Sequence, residues 1–501
     1  MIRRLKGIIT DSSILDIAAL ICGLLIPFAF APYDLPYLAF PLISVFLFLI
    51  VNQSNGRSFW RGWLFGFGQF VVASSWIFHS VHTFGHAPAV LAVAMIILLA
   101  AYCALFPALA AYLTQRFFSQ NQNTFFLLAM PLMWGLTEWL RGYLFTGYAW
   151  LSIGVSQTDT GLANLAPIFG SLGVGVVIFF IAGLILLSVL NPTKIRYYVF
   201  TLVVVFASSQ LLFFVNWSQP VSEPLKVSVA QLSVTQDQKW RAEVKEPSMQ
   251  WYKQQTREHA DSDVIIWPET AIPNFLRRVN SFWDGVKKEA VETNTEIVAG
   301  VFLRNQKTGR YYNSMVSTNG DYYQKKHLVP LGEYMPFRGL FEILRKYINF
   351  PMSDIASGAD EQPLMKVAGY PVGVSICFED VFDRDIRSSL PEANFLINAS
   401  NDSWFKRTAE PFQHHQIARM RAQESARYMV RSTNTGISAI IGPKGEELLT
   451  SKLFERTTIT GEIRPMSGMT PYVFWGNTPV ILLATFLLLW RSRTILKNRR
   501  T

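Results

Sequence analysis

Apolar residues are spread unevenly along this chain. Near-continuous apolar runs fill about the first 217 positions and return after 470, while the stretch between them mixes short apolar runs with polar segments. Roughly 20 consecutive apolar residues cross a bilayer as a helix. The runs near 13–31, 36–51, 60–79, 88–113, 124–140, 165–190, 196–215 and 475–490 therefore predict eight transmembrane helices. The expected organisation is a membrane domain of seven helices over 1–217, a globular insert over 218–470, and a last helix with a basic tail over 471–501.

Within the insert the periodicity changes. Short β-like runs, LKVSVAQL (225–232), DVIIWPE (263–269), TEIVAGVFL (295–303), YYNSMVST (311–318), YPVGVSICF (370–378), NFLINAS (394–400) and GISAIIGP (436–443), alternate with helical composition at 241–260, 281–293 and 410–430. Continuously apolar strands interleaved with helices predict an α/β domain whose sheets are covered by helices.

Charge sets an orientation and removes one class of function. Of the formal net charge of +10, residues 1–217 carry +4 and residues 471–501 carry +5, leaving +1 on the insert. A nearly neutral globular domain offers no footprint for a phosphate backbone, so no nucleic-acid partner is expected. With spans alternating sides, 13 of the 14 basic residues outside the insert share one face, Arg141 being the exception. By the positive-inside rule that face is the cytoplasm, which puts both termini inside and the insert outside. The RRLK segment ahead of an apolar run ending in Ala29-Phe30-Ala31 imitates a cleavable signal peptide, but Pro32 and the spans behind it favour a retained helix.

That address bears on the three cysteines. Cys22 and Cys103 lie in apolar spans and serve as filler, so Cys377 stands without a disulfide partner in an oxidising compartment. Such a residue is ordinarily a buried, inert side chain; a reactive thiol is the other reading. Three predicted strand ends carry polar residues: Glu269 after DVIIWP, Lys325 and Lys326 after DYYQ, and Cys377 after YPVGVSI. Strand ends are where layered α/β folds place their sites. A turn acid and solvated lysines would account for the first two as simply. Together, however, the three supply what acyl transfer requires: a thiol nucleophile, a carboxylate to take its proton, and a fixed ammonium such as Lys325 to face an oxyanion. If residues 378–380 open a helix, its dipole also favours the thiolate.

The order Glu269, Lys325, Cys377, at intervals of 56 and 52 residues, resembles the carbon–nitrogen hydrolase (nitrilase) superfamily, whose triad is Glu-Lys-Cys on an α-β-β-α sandwich. The motifs WPET, KKHLVPLGEYMP, CFED and NASNDSWF, together with FAPYDLPYLAF, FGHAP and TEWLRGYLFTGYAWLSIG among the spans, are similar to its membrane-integrated branch, the apolipoprotein N-acyltransferase family. The resemblance implies a ping-pong acyltransferase of lipoprotein biosynthesis. Its cysteine takes the sn-1 acyl chain of a phospholipid, typically phosphatidylethanolamine, as a thioester, and the α-amine of an apolipoprotein's S-diacylglyceryl-cysteine then receives it. Also implied are a multi-pass protein of the bacterial inner membrane, a periplasmic catalytic domain, partners limited to the bilayer, the phospholipid donor and the apolipoprotein acceptor, and no cofactor or metal; a monomer is expected. By the same resemblance Cys377 is the nucleophile, Glu269 the base and Lys325 the oxyanion stabiliser. Lys325 is preferred to Lys326 because the family's lysine stands eight residues before the Glu of PxGE, here Glu333. Glu333 and Glu379 match acidic positions of the family, and Trp240 matches a tryptophan implicated in substrate binding. Their plain structural readings are a turn residue, a helix-start acid and packing. Two places depart from the pattern: Phe378, where relatives often have Tyr, and SWFKRT (403–408), which lacks the glycine that commonly follows WF.

Other features are less specific. Phe337, Leu340, Phe341, Leu344 and Ile348 form a helical stripe suited to a core-facing helix or to an interfacial lid. Glu138 and Arg141 predict an ion pair in an aromatic belt, lipid-headgroup contact being the alternative. His414 and His415 lack further ligands at metal-binding spacing. Two rival functions remain: a membrane-tethered amidase or nitrilase-like hydrolase, for which so many spans are excessive, and a transporter. The latter calls for charges deep in the spans, whereas Asp16, Arg61 and Glu138 lie near span ends.

Overall fold

The computed structural model describes residues 12–335 and 354–498, so the 337–348 stripe lies outside the described residues. The chain divides into two compact units, one of Met1–Ser75, Val93–Val215 and Phe474–Thr501, the other of Trp76–Ala92 and Asn216–Val473.

The first unit is helical wherever the sequence is continuously apolar. Five of its stretches, Ser12–Ala29, Ala89–Phe118, Gly161–Leu190, Pro192–Leu212 and Thr478–Lys497, are long and apolar enough to cross a membrane, and Pro36–Ile50 is apolar but shorter. The runs expected at 60–79 and 124–140 are the helices Asn55–Ala73 and Met130–Arg141. Arg57 and Arg61 dilute the first, and a π turn at Phe125–Ala129 precedes the second. Arg61 is buried six residues into its helix; Asp16 accepts from it at 2.8 Å and from Arg57 at 2.7 Å. A desolvated charge of this kind persists because it is paired. Glu138 and Arg141 form the expected ion pair, at 3.3 Å, but inside the unit rather than in a wet belt. Arg141 donates to the Trp150 carbonyl at 2.8 Å and Ile153 N donates to Glu138 at 2.9 Å, so the pair ties residues 150–153 to its helix.

The second unit is built on two sheets. The seven-stranded sheet runs in the order Thr457–Ile463, Leu225–Gln231, Val264–Ile266, Glu296–Arg304, Tyr311–Ser317, Tyr322–Gln324, with Ile272–Phe275 also on Glu296–Arg304. The six-stranded sheet runs Glu447–Thr450, Ala439–Ile441, Met429–Thr433, Phe395–Ser400, Tyr370–Ile376, Met365–Val367. At the centre of each sheet three strands are parallel, so helices must cross over between them. Ala242–Glu258 and Asn280–Thr293 serve the first sheet, Asp383–Arg387 and Glu410–Ser425 the second.

Apolar residues alternate between the two faces of each sheet. Val229, Ile266, Val298 and Met315 of the first sheet pack against Val372, Ile376, Ile397 and Val430 of the second. Ile265, Trp267 and Ile297 face the helices that carry Tyr252 and Trp283, and Leu396 and Met429 face Ala418 and Ala422. The layers are helix, sheet, sheet, helix, the α-β-β-α sandwich expected from the resemblance. The structure departs from the expected helix at 410–430. That helix stops at Ser425, where Ala426 turns left-handed, and the chain re-enters the sheet as Met429–Thr433.

Candidate active site

Cys377 follows the last residue of the Tyr370–Ile376 strand and opens a five-residue 3-10 turn, Cys377–Val381. Its φ is +53°, left-handed for a residue with a Cβ, a conformation that costs about 1–3 kcal/mol and is held only where surroundings enforce it. The anticipated helix dipole behind the thiolate is not supplied by so short a turn. Lys325 and His414 are the positive groups near the sulfur.

Glu269 leaves the Val264–Ile266 strand through Trp267 and Pro268 and is 7% exposed. The neighbouring strand reaches it only because position 300 is glycine. A Cβ there would sit 2.4 Å from the Pro268 carbonyl oxygen and 2.7 Å from Glu269 Cα. Asn313 Nδ2 donates to Glu269 Oε1 at 2.7 Å, and buried Lys239 donates to the Glu269 carbonyl at 3.0 Å. Burial pushes the carboxyl above its ordinary range, opposed first by Lys325, while Glu333 pushes the same way as burial.

Lys325 follows the Tyr322–Gln324 strand and is 1% exposed. Its Nζ lies 2.8 Å from each Glu333 carboxylate oxygen. Burial pulls the ammonium down, but Glu333, then Cys377 and Glu269, outweigh it and leave the group above the ordinary lysine value. Glu333 is held in turn by Val329 N at 2.8 Å and Asn313 Nδ2 at 3.3 Å. Lys326 points elsewhere, donating to Ser388 Oγ at 3.1 Å.

The Cys377 thiol is pushed up to about 12 by burial and then by Glu269, with Lys325 and His414 opposing. Cys377 therefore rests as a neutral thiol near a carboxyl, Glu269, whose own proton affinity is raised. Such a pair shares one proton, which is the starting point of general-base attack rather than of a stored thiolate.

Glu379 is fully buried and accepts from four donors: Ile376 N at 2.7 Å, Lys326 N at 2.7 Å, His327 N at 3.0 Å and the Tyr323 hydroxyl at 3.0 Å. Burial raises its carboxyl to about 7, against the lowering by Lys325. Trp240 is 37% exposed, its ring 6.0 Å from Phe302 with Lys245 Nζ above it. Phe378 packs edge-on against Phe382 at 5.0 Å and His327 at 6.0 Å. Where the pattern wants a glycine, Lys406 takes the left-handed φ of +54°. The preceding aromatics are seated on the Trp76–Ala92 segment, Phe405 against Trp76 at 4.8 Å and Trp404 against Phe84 at 5.4 Å.

Several site residues escaped the sequence. Asn313, which joins Glu269 to Glu333, is a polar residue inside an apolar strand, and that misfit was its only signal. Lys239 sits in a short polar segment with nothing to set it apart. His414 does have partners: Asp402, Glu410 and His414 bring ligand-type atoms within 4.8 Å of one another, and Glu410 lies one helical turn before His414. Arg431 already engages Asp402 at 3.1 Å and Asp380 at 3.4 Å, so this set forms an ion network.

Two family descriptions match the chain: Apolipoprotein N-acyltransferase N-terminal domain over residues 22–184, and Carbon-nitrogen hydrolase over residues 226–471. A protein named Apolipoprotein N-acyltransferase from Methylococcus capsulatus is 42% identical, covering 92% of this chain and 93% of its own. One of the same name from Coxiella burnetii is 35% identical over 95% of this chain and 99% of its own. Among solved structures, Saccharomyces cerevisiae Nit3, of branch 10 of the nitrilase superfamily, covers 49% of this chain and 91% of its own at 18% identity and a TM-score of 0.38.

Proposed function

This chain belongs to the apolipoprotein N-acyltransferase family, and from that premise we propose that Cys377 carries an acyl chain, as a thioester, from a membrane phospholipid to the α-amine of an apolipoprotein's S-diacylglyceryl-cysteine. The observation that carries the reading is the convergence of Glu269 and Lys325 from one sheet with Cys377 from the other, around an ammonium that Glu333 keeps charged.

In the first half-reaction Glu269 takes the thiol proton as Sγ attacks the ester carbonyl carbon. The oxyanion that develops is stabilised by the Lys325 ammonium, which Glu333 keeps charged and in place. The carbon–oxygen bond breaks, and the lysophospholipid oxygen leaves with the proton from Glu269. In the second, the acceptor amine attacks the thioester carbon, Glu269 takes its proton, and that proton returns to the departing sulfur. Amide and free thiol result, so protons and bonds balance over the cycle.

Phosphatidylethanolamine is the expected donor. Eight helices over 1–217 and 471–501, with the 218–470 catalytic domain on the periplasmic side of the inner membrane, both termini cytoplasmic and a monomeric chain, complete the reading; the distribution of basic residues supports the orientation. Incubation with acyl-labelled phosphatidylethanolamine should give a hydroxylamine-sensitive protein adduct that Cys377→Ser lacks. Mass spectrometry of a lipoprotein N-terminus, from cells with and without the protein, then reads the transfer. An unlabelled wild-type protein under turnover conditions would reject the thioester.

A further inference from the structure

The acyl-transfer steps leave unused a second set of charges behind the nucleophile. His414, on the Glu410–Ser425 helix, is 1% exposed and has carboxylates near both ring nitrogens. Nε2 is 2.8 Å from Asp380 Oδ1 and 3.3 Å from the carbonyl oxygen of Cys377. Nδ1 is 3.4 Å from both Asp402 Oδ1 and Glu410 Oε1. Burial and Arg431 pull the ring's proton affinity down, but the carboxylates on its two sides, Asp380 hydrogen-bonded to Nε2 and Asp402 and Glu410 near Nδ1, outweigh them and favour the imidazolium. Charge balance agrees. Asp380, Asp402 and Glu410 face His414 and Arg431, with Arg421 also acting on Asp380, and buried charges persist only when compensated. Glu410, raised to about 8 by burial and then by Asp402, is the carboxyl that holds a proton most readily, while Arg431 and His414 keep Asp402 down at about 2 against its burial.

We propose that His414 is a positioning residue of the reaction: as a buried imidazolium it fixes the carbonyl of Cys377, and so the left-handed turn, and places a second positive charge behind the thiolate. Two side-chain donors hold that carbonyl, His414 Nε2 and Asn398 Nδ2 at 3.4 Å. Loss of His414 leaves the strained residue with the weaker, longer bond and removes one of the two cations that oppose the burial of the sulfur.

The kinetic part of the test rests on the acyl-transfer reading, whereas the thiol part needs no lipid. Full-length protein is alkylated with iodoacetamide across pH 6–10, and modification of Cys377 is quantified by peptide mass spectrometry with Cys377→Ser as blank. His414→Gln keeps an amide donor but no charge. Its alkylation should fall about tenfold at each pH across that range, and thioester formation should slow at saturating phospholipid with KM unchanged. Alkylation within twofold of wild type overturns the proposal, and a lower Tm with unaltered thiol reactivity assigns His414 to packing alone. If wild-type protein gives the expected alkylation but no thioester from phospholipid, the acyl-donor reading fails while this one stands. A measurement independent of folding of the variant is 15N-histidine NMR of the wild type: a histidine doubly protonated at pH 8 is expected, and its absence among all seven overturns the proposal.

Discussion

Replacing Glu333 by Gln tests the electrostatic core of the site while leaving every reacting atom in place. The wild-type pair is close and dry, with Nζ 2.8 Å from both carboxylate oxygens and both side chains buried. At an effective dielectric of about 20, contact at that distance is worth about 6 kcal/mol. Breaking a buried pair by removing one partner costs about 3–5 kcal/mol in measured cases, because the surviving charge stays desolvated. Since Glu333 is the largest influence holding the Lys325 ammonium up against burial, the substitution must lower its proton affinity. The sign follows. A lysine raised in the folded state contributes stability below its unfolded value and loses it only as pH rises through the higher folded value, outside the working range. The variant loses that margin and acquires an alkaline limb. Losing one fixed oxyanion donor typically costs about 10²–10³ in rate. Thioester formation by Glu333→Gln, followed with a fluorescent phospholipid from pH 6 to 10, should therefore drop by about that factor, with a decline above pH 8 that wild type lacks. Glu333→Asp should recover part of it. A rate within threefold of wild type and an unchanged alkaline profile would refute the reasoning.

Because burial raises Glu269, with Lys325 opposing, its base form is lost as pH falls through a value above the ordinary 4.5. The acid limb of kcat/KM should lie there, and Glu269→Gln should remove it along with nearly all acylation. Asn313→Leu strips one donor from Glu269 and one from Glu333 and should slow thioester formation about 10- to 100-fold, the equivalent of the roughly 1–3 kcal/mol that an unpaired buried group costs; an unaltered rate means the two acids do not depend on it. Trp240→Ala, at an exposed ring, should raise KM for the lipid with kcat and Tm nearly unchanged, and a kcat loss at constant KM would contradict that. Glu379→Gln turns an amide donor toward four existing donors and should lower both Tm and kcat, read by thermal unfolding and single-turnover acylation.

The central strands were legible because they are continuously apolar: LKVSVAQL, TEIVAGVFL and NFLINAS, like the DVII and YPVGVSI runs ahead of Glu269 and Cys377, have no other stable place than between covering layers. The Thr457–Ile463 and Glu447–Thr450 strands were missed since their exposed edges carry Thr and Glu, which mimic loop composition. Intervals of 56 and 52 residues suggested Glu269, Lys325 and Cys377, yet spacing carries no information about convergence, which depends on how two sheets face each other. Asn313, beyond its misfit in an apolar strand, and the Asp380–Asp402–Glu410–His414–Arg431 set were not legible for the same reason. Except for the helical turn between Glu410 and His414, their partners are distant in sequence and meet only through the crossovers. Phe378, singled out as a departure, proves to be a packing residue against Phe382 and His327.

That dependence on two sheets explains why so much of the buried charge is not in the triad. Lys325 ends a strand of one sheet and Cys377 ends a strand of the other, and apolar packing between sheets is not directional enough to fix two strand ends to a fraction of an ångström. Hydrogen bonds are. Glu379 accepts from Ile376 N on the cysteine side and from Lys326 N, His327 N and the Tyr323 hydroxyl on the lysine side, so one carboxylate clasps the two strand ends next to Cys377 and Lys325. Asn313 does the same within the first sheet, joining Glu269 to Glu333, the acid that holds the Lys325 ammonium. Near-attack geometry in acyl transfer tolerates little more than half an ångström of error. A buried carboxylate with four donors is a costly way to stabilise a fold, since desolvation raises it to about 7. It makes sense as the device that sets the distance between sulfur and ammonium.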